Sequence, residues 1–228
     1  MCVLKEYVSQ LNFIRLWVDE QEVLVLVLVV VAEVCHKGHK HLQKKYLGNI
    51  KDPALRKELA EGMAAFEKEF GIPVFGNGRP GQGDVHVIME DLGPTTAASV
   101  NGAGVLSVNS RFTTGEIPMS HAKHSVIHEL THGLDKTNAF NLQNGEWSSK
   151  GGGKFVVKKE NKGYDRKLTA AYKQFKKNYG STQTKQIGPY ALKSKHEFFA
   201  EAVASHITGT KNNYTTFAYN LAKSMSGK

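Results

Sequence analysis

Two histidines, His128 and His132, stand four residues apart, and Glu129 directly follows the first of them. On an α-helix this spacing brings both imidazoles to one face, one turn apart, so both can reach a single metal ion at about 2.0–2.1 Å. The carboxylate of Glu129 then lies beside the same point. The spacing therefore indicates a helix that binds zinc.

The helix that carries this motif is predicted to span residues 120–133, with different side chains on its two faces. The apolar residues Val126, Ile127, Leu130 and Leu134 gather on one side, and His124, His128 and His132 line the other. We therefore expect a buried face and a stripe of histidines along a cleft. The alternative is a surface helix with scattered polar histidines, and His124 itself either borders the cleft or is simply a polar helix residue.

Two histidines leave a catalytic zinc site short of a ligand, because such sites commonly use three protein groups and keep the fourth position for water. The best source of a third ligand is the strongly helical stretch 195–204, where Glu197 and Glu201 are four residues apart and share a face. Small neighbours, including Ala200 and Ala204, would let this helix approach the first one closely. The alternative is an ordinary amphipathic helix with two solvated glutamates.

The two motifs together resemble a known family. The segments HSVIHELTHGLD (residues 124–135) and EFFAEA (residues 197–202), with Tyr190 seven positions before Glu197, look like the catalytic domain of anthrax lethal factor-like zinc metalloproteases, which include the Pro-Pro endopeptidases. The resemblance extends from about residue 104 to the C-terminus. It implies a zincin-like fold and one Zn²⁺ per chain.

The resemblance also implies a role for each site residue. It implies that His128, His132 and Glu197 bind zinc, that Glu129 is the general base, and that Tyr190 assists the oxyanion. In that chemistry zinc lowers the pKa of its bound water toward about 7, and the glutamate takes the proton and returns it to the departing amine. For Tyr190 the alternative is a packing residue beside Pro189.

Two further acids are candidates for orienting the zinc-binding histidines, because a ligating histidine usually donates its other N–H to a carboxylate or a carbonyl. These are Asp135 and Glu201, and the resemblance implies that Glu201 has this supporting role. For Asp135 the alternative is an exposed salt bridge with a nearby lysine.

The length and the 40% hydrophobic content predict one catalytic domain, residues 49–228, preceded by an extension of unknown role, residues 1–48. Helices are predicted from Pro53 to near Phe70 and at residues 120–133, 165–179, 196–207 and 214–224, with strands at 72–75, 84–90 and 104–112. This order predicts an α+β, zincin-like fold with a small mixed sheet, an HExxH helix and a helical C-terminal part. We expect strand 104–112 to be the edge with which an extended peptide pairs.

Two segments that invite a functional interpretation do not support one. The apolar run at residues 23–32 is shorter than the roughly 18–20 residues that cross a bilayer, and the acidic residues before it do not suit a conventional secretory signal. The glycine pattern at residues 76–81 matches GxGxxG, but Pro80 and a following strand pattern predict a loop rather than the helix that a dinucleotide site needs. We therefore expect neither a transmembrane segment nor a bound nucleotide.

The net charge of +9 is concentrated in residues 146–195, where 13 lysines and arginines face 3 acidic residues. We interpret most of these lysines as a solvated face and do not expect nucleic acid as a partner. The leading functional prediction is a zinc metalloendopeptidase acting on protein or peptide substrates. From the family resemblance we also expect a toxin-like role, with secretion or delivery into a target cell. The alternative is a non-catalytic zincin-like module that binds an anionic partner through residues 146–195.

Overall fold

The computed structural model describes residues 47–71, 86–100, 105–136 and 159–227. All of them belong to Leu42–Lys228, one of the two units into which the chain divides, the other being Met1–His41. Three of the predicted features lie outside the described residues: the apolar run 23–32, the strand 72–75 and the loop 76–81. The predicted domain boundary at residue 49 stays a prediction.

The described residues form an α+β fold. Its helices are α1 (Pro53–Phe70), α2 (Ala122–Leu134), α3 (Lys162–Lys177), α4 (Thr182–Lys185), α5 (Lys195–Ile207) and α6 (Asn213–Ser226), and its strands are β1 (His86–Glu90), β2 (Ala98–Val100) and β3 (Val105–Asn109). The helices predicted from the sequence are confirmed to within a few residues, whereas the short helix α4 and strand β2 were not predicted. Within the described ranges, no helix has the length and apolar composition needed to cross a bilayer.

Helix α1 begins and ends where capping signals predict. The side chain of Asp52 accepts hydrogen bonds from the backbone N–H groups of Ala54 and Leu55, and Gly71 ends the helix with a left-handed φ of 63°. The apolar residues that the sequence spaces for burial, namely Leu55, Leu59, Met63 and Phe66, are all buried. Helix α1 therefore supplies one wall of the core.

The sheet is mixed and has the order β1-β3-β2 among the described strands. Strand β3 pairs in parallel with β1 and antiparallel with β2, so it lies in the middle. The prediction that the strand at 104–112 is a free edge is therefore wrong. The reason is that β2 is only three residues long, too short to show an alternating pattern in the sequence, and it occupies the side of β3 that was expected to be open.

The buried side chain of Asn109 fixes the segment that leads into β2. Its amide nitrogen donates to the carbonyl oxygens of Gly93 at 2.7 Å and Thr96 at 2.6 Å, and its backbone N–H donates to Ala97 O at 3.0 Å. These three bonds tie the approach to β2 onto the end of β3. They hold β2 beside β3 as an outer strand of the part of the sheet that the structure describes, where it also contacts α2.

Aromatic rings hold α3 and α6 against α5. Phe175 on α3 lies 4.8 Å from Phe198 on α5 and 5.6 Å from Tyr214 on α6, measured between ring centroids. Tyr172 adds a hydrogen bond from its hydroxyl to Leu192 O at 2.6 Å. Because offset and edge-on aromatic pairs pack at such distances, these contacts fix the start of α5 within the fold.

Close contact between α1 and α2 depends on Gly62. A Cβ atom at this position would lie 2.3 Å from Val126 Cγ1 and 2.9 Å from Lys123 O, which is closer than atoms can approach. The missing side chain therefore lets the two helices pack at short range, and α2 in turn packs on α5.

We expect Gly62→Ala to lower the free energy of unfolding by about 1–3 kcal/mol, because the added methyl group forces α1 away from α2. The measurement is urea denaturation followed by circular dichroism. The matched control is Gly163→Ala on α3, where a Cβ would meet nothing within 4 Å. That change should raise stability by up to about 1 kcal/mol, because alanine favours helix over glycine. Equal effects at the two sites would contradict the close-packing account.

Candidate metal centre

Helices α2 and α5 run antiparallel along the site, as the order of their contacts shows. His132, near the end of α2, lies against Glu197 at the start of α5, whereas His124, near the start of α2, lies against Glu201 one turn further along α5. His128 lies between them and contacts both glutamates. Three histidines spaced by four residues thus face two glutamates spaced by four residues.

Three donor atoms of this group converge on one point. His128 Nε2 lies 3.0 Å from His132 Nε2 and 3.0 Å from Glu197 Oε2, and His132 Nε2 lies 3.3 Å from the same oxygen. Four ligands placed tetrahedrally at about 2.0–2.1 Å from a metal ion lie about 3.3 Å from one another. The observed spacing is therefore close to what one metal ion requires, and this is the one such group found among the described residues.

The oxygen that faces both imidazoles supports the same interpretation. Glu197 Oε2 is buried and makes no well-aligned hydrogen bond within the described part of the chain, although two ring nitrogens are near it. Buried polar atoms normally have a partner, because leaving one unsatisfied is costly. A cation between the three donors would satisfy this oxygen, so the residues fit a bound metal ion.

The electrostatics of the group favour positive charge at its centre. Burial opposes a charged imidazole, but contacts with Glu197 and Glu201 outweigh it and raise the pKa of His128 to about 10. Burial raises the pKa of Glu197, whereas contacts with His128 and His132 lower it well below its ordinary value. The carboxylates are thus held ionised in a partly buried place, which suits a cation.

Capping residues place the helix ends that carry the donors. Ser194 is the N-cap of α5, and its hydroxyl accepts a hydrogen bond from the backbone N–H of Glu197 at 3.1 Å. Asp135 ends α2, is fully buried, and lies 2.7 Å from Nδ1 of His196. Because Asp135 is fully buried, it does not form the exposed salt bridge that was the alternative. Its contact with His196 joins the end of α2 to the start of α5.

Glu201 lies beside a donor histidine, where a supporting carboxylate is expected. Its Oε1 atom is 3.1 Å from His128 Nδ1, within ion-pair distance but outside good hydrogen-bond alignment. Its Oε2 atom is 2.8 Å from His124 Nε2. Burial raises the pKa of Glu201, but the two histidines outweigh it and lower this pKa to about 2. Glu201 therefore connects His128 with His124.

Glu129 is held between the donor group and the edge of the sheet. Its Oε2 atom accepts a hydrogen bond from the backbone N–H of Val100 on β2 at 3.0 Å, and its Oε1 atom lies 3.9 Å from His128 Nε2. Burial raises the pKa of Glu129, partly offset by the charges of the two nearby histidines. One carboxylate oxygen is thus anchored to β2, while the other faces the donor atoms.

The ring of Tyr190 lies against that of His128, and their centroids are 5.7 Å apart in an edge-on arrangement. It belongs to the short turn Pro189–Leu192, which follows Gly188 with a φ of 98° that favours glycine. Tyr190 is 38% exposed, so it is not a core packing residue, and Lys193 Nζ lies 3.8 Å from its ring centroid. Burial and the neighbouring carboxylates raise the pKa of Tyr190 to about 12.

A cleft of about 830 Å³ lies beside the donor group, and His128 and Glu129 are among the residues that line it. Its walls come from the edge strand, from the first half of α2 and from the end of α5, and they include Ala98, Glu129, Ser125, His124, Tyr190 and Thr208. An extended chain could therefore reach the donor group along the edge of β2.

Three of these relationships were not predicted. The anchoring of Glu129 by Val100 depends on β2, which was missed, and the contacts of His124 with Glu201 and of Lys193 with Tyr190 depend on how distant segments pack. A signal for one of them was present, since His124, His128 and His132 repeat every four residues opposite two glutamates with the same spacing.

Comparison with known protein families gives a match to a family of metallopeptidases. The model of the family described as Glucose-regulated metallo-peptidase M90 matches residues 89–211, more than half of the chain. That range includes all of the candidate site residues. Neither the search of curated proteins nor that of solved structures found a significant match.

We expect zinc, at a free concentration about a thousandfold above its dissociation constant, to raise the melting temperature of the protein by about 10 °C relative to protein treated with a chelator. A ligand present at a thousandfold its dissociation constant stabilises the folded state by about 4 kcal/mol, and a domain of this size gains about 2–4 °C per kcal/mol. Differential scanning calorimetry measures the shift.

The matched variants for that experiment are His132→Ala, which removes a donor, and His121→Ala, which removes an exposed histidine at the start of the same helix. The shift should disappear in the first variant and persist in the second. An undiminished shift in His132→Ala would contradict the assignment of the donor group.

Proposed function

The chain belongs to the M90 metallopeptidase family, and from this premise we propose that it is a zinc-dependent endopeptidase whose zinc ligands are His128, His132 and Glu197. The observation that carries the proposal is the convergence of these three donor atoms, all within 4.8 Å of one another. Two imidazoles and one carboxylate suit zinc, and three protein ligands leave a position open for water, as catalytic zinc sites require. Zinc held in this way acts as a Lewis acid that lowers the pKa of water to about 7 and polarises a peptide carbonyl.

Glu129 is the proposed general base. Because the Val100 N–H holds Oε2, the Oε1 atom stays directed at the place where a water molecule would sit beside the ligands. Its raised pKa makes it a better proton acceptor than a solvated glutamate. Glu129 takes a proton from water as the water attacks the carbonyl carbon, and then gives that proton to the departing amine as the C–N bond breaks.

Tyr190 is the proposed hydrogen-bond donor to the carbonyl oxygen as negative charge develops there. Its pKa of about 12 keeps the hydroxyl protonated near neutral pH, so it can donate throughout the reaction. Its position beside His128 at the mouth of the cleft supports this role. A donor that is already in place costs no reorganisation when the charge appears.

The peptide substrate is proposed to pair with the outer edge of β2. Asn109 N–H donates to Ala97 O on the inner side, so the backbone groups of Ala98, the next residue, face the other way. Ala98 also lines the cleft. Strand addition at this edge would lay the scissile bond beside Glu129, because Val100 of the same strand holds that side chain.

We further propose that the fold is zincin-like and that the site is similar to that of lethal factor-like proteases. The support is the order of the residues along the chain, His128 and His132 first, then Tyr190, then Glu197 and Glu201. His128, His132 and Glu197 converge on one point, and His128, Tyr190 and Glu201 line the cleft beside it. Secretion, or delivery into a target cell as a toxin, stays a prediction that rests on this resemblance alone. Membership of a peptidase family does not favour the alternative of a binding module that uses residues 146–195.

We expect Glu129→Gln to bind zinc as tightly as the parent protein but to hydrolyse peptides about 10²–10⁴-fold more slowly, because glutamine accepts the Val100 hydrogen bond but not a proton from water. The measurement is kcat on a quenched fluorescent peptide, with zinc content determined in parallel. Glu160→Gln, the same change at an exposed position, should leave kcat unaltered. Parental turnover by Glu129→Gln would remove the assignment of the base.

For Tyr190→Phe we expect kcat to fall about 10²-fold while KM changes little, because the ring stays against His128 and only the donor to the developing charge is lost. The control is Tyr179→Phe, since Tyr179 has the same 38% exposure but does not line the cleft. A rise in KM with kcat unchanged would assign Tyr190 to substrate binding instead.

A further inference from the structure

The two donor histidines are supported unequally by their surroundings. His128 Nδ1 lies beside Glu201, whereas His132 Nδ1 is buried without a hydrogen-bond partner in the described ranges. A histidine that binds a metal through Nε2 must keep its proton on Nδ1, and a carboxylate at Nδ1 fixes both this tautomer and the ring orientation. The geometry of the site therefore depends mainly on Glu201.

Glu201 is not held by His128 alone. Its contact with His128 Nδ1 is 3.1 Å and poorly aligned, whereas its contact with His124 Nε2 is 2.8 Å and meets hydrogen-bond geometry. These two histidines are the partners that the described residues provide for its carboxylate. The better-aligned contact is thus the one made to a residue outside the donor group.

Without His124, Glu201 would have an alternative to supporting His128. Its side chain lines the cleft and is 15% exposed, so its carboxylate could turn toward water. His124 opposes this turn, because each of the two oxygen atoms then has its own histidine, one turn apart on α2. Two anchors define the plane of a carboxylate, whereas a single poorly aligned contact does not.

We propose that His124 is a positioning residue, which holds Glu201 and through it keeps His128 in the orientation that zinc binding requires. The inference rests on the proposed function, because it takes His128 as a zinc ligand. It assigns to His124 no contact with substrate or with the reacting atoms. Replacing His124 should therefore weaken zinc binding only through the loss of its contact with Glu201.

The test is a double-mutant cycle in zinc affinity, measured by competition with a chromophoric chelator. We expect His124→Leu to weaken zinc binding about tenfold, at the lower end of the range for residues that support a ligand, and Glu201→Gln to weaken it at least as much. In the Glu201→Gln background the His124→Leu change should have no further effect, because the route is already broken. His124→Gln, which keeps an N–H donor at similar reach, should restore most of the affinity.

Two further measurements separate positioning from a general structural role. Cobalt(II) substituted for zinc reports ligand geometry, so its visible absorption should change in His124→Leu and return in His124→Gln. His121→Leu, the same change one turn earlier at an exposed histidine, should alter neither affinity nor spectrum. Because His124 is 29% exposed, His124→Leu should unfold at nearly the parental temperature in the absence of metal.

Parental zinc affinity in His124→Leu, or additive losses in the double variant, would overturn the positioning role and leave the proposed peptidase intact. Failure of the parent protein itself to bind zinc would instead remove the proposed function, and this inference with it. The two failures are therefore distinguishable in one series of titrations.

Discussion

The antiparallel packing of α2 and α5 is the constraint on which the site depends. It sets the histidines of one helix opposite the glutamates of the other, so that ring nitrogens and carboxylate oxygens lie 2.8, 3.0 and 3.3 Å apart in three such pairs. Separately, each of these groups would be costly to bury, because an unpaired charge in a protein interior is strongly unfavourable. Ala200 and Ala204 on α5 are both fully buried, and their small side chains suit the close packing of α5 on α2. The missing side chain of Gly62 lets α1 support α2 from the other direction.

The base and the substrate-binding edge are linked through a single backbone group. Val100 N–H holds Glu129, and Val100 belongs to the strand along whose edge the peptide is proposed to lie. Asn109 in turn fixes the approach to this strand with three hydrogen bonds. Asn109 on β3 does not touch Glu129 in these contacts, but by fixing β2 it helps to orient the carboxylate of Glu129. Because β2 would bind the peptide and also holds Glu129, it would fix the position of the scissile peptide bond relative to the carboxylate that accepts the proton.

Much of the fold and site follows from local patterns in the sequence. The pair Asp52-Pro53 is typical of a helix start and predicts where α1 begins, and a four-residue spacing predicts which side chains of α2 and α5 share a face, because helix geometry is local. Partnerships between distant segments are not encoded in this way. Tertiary packing decides three such partnerships. These are the contact of His124 with Glu201, the contact of Asp135 with His196, and the pairing of β2 with β3. The mistaken edge strand has the same origin, since three residues of β2 carry too little periodicity to reveal a third strand.

X-ray absorption at the zinc edge of the zinc-loaded protein counts the ligand atoms around the metal, and so checks the assignment of His128, His132 and Glu197 as zinc ligands. We expect this assignment to give a four-coordinate shell of nitrogen and oxygen atoms at about 2.0–2.1 Å, with outer-shell scattering from two imidazole rings, and with one ring lost in His132→Ala. A six-coordinate oxygen shell, or two imidazole rings still present in His132→Ala, would contradict it.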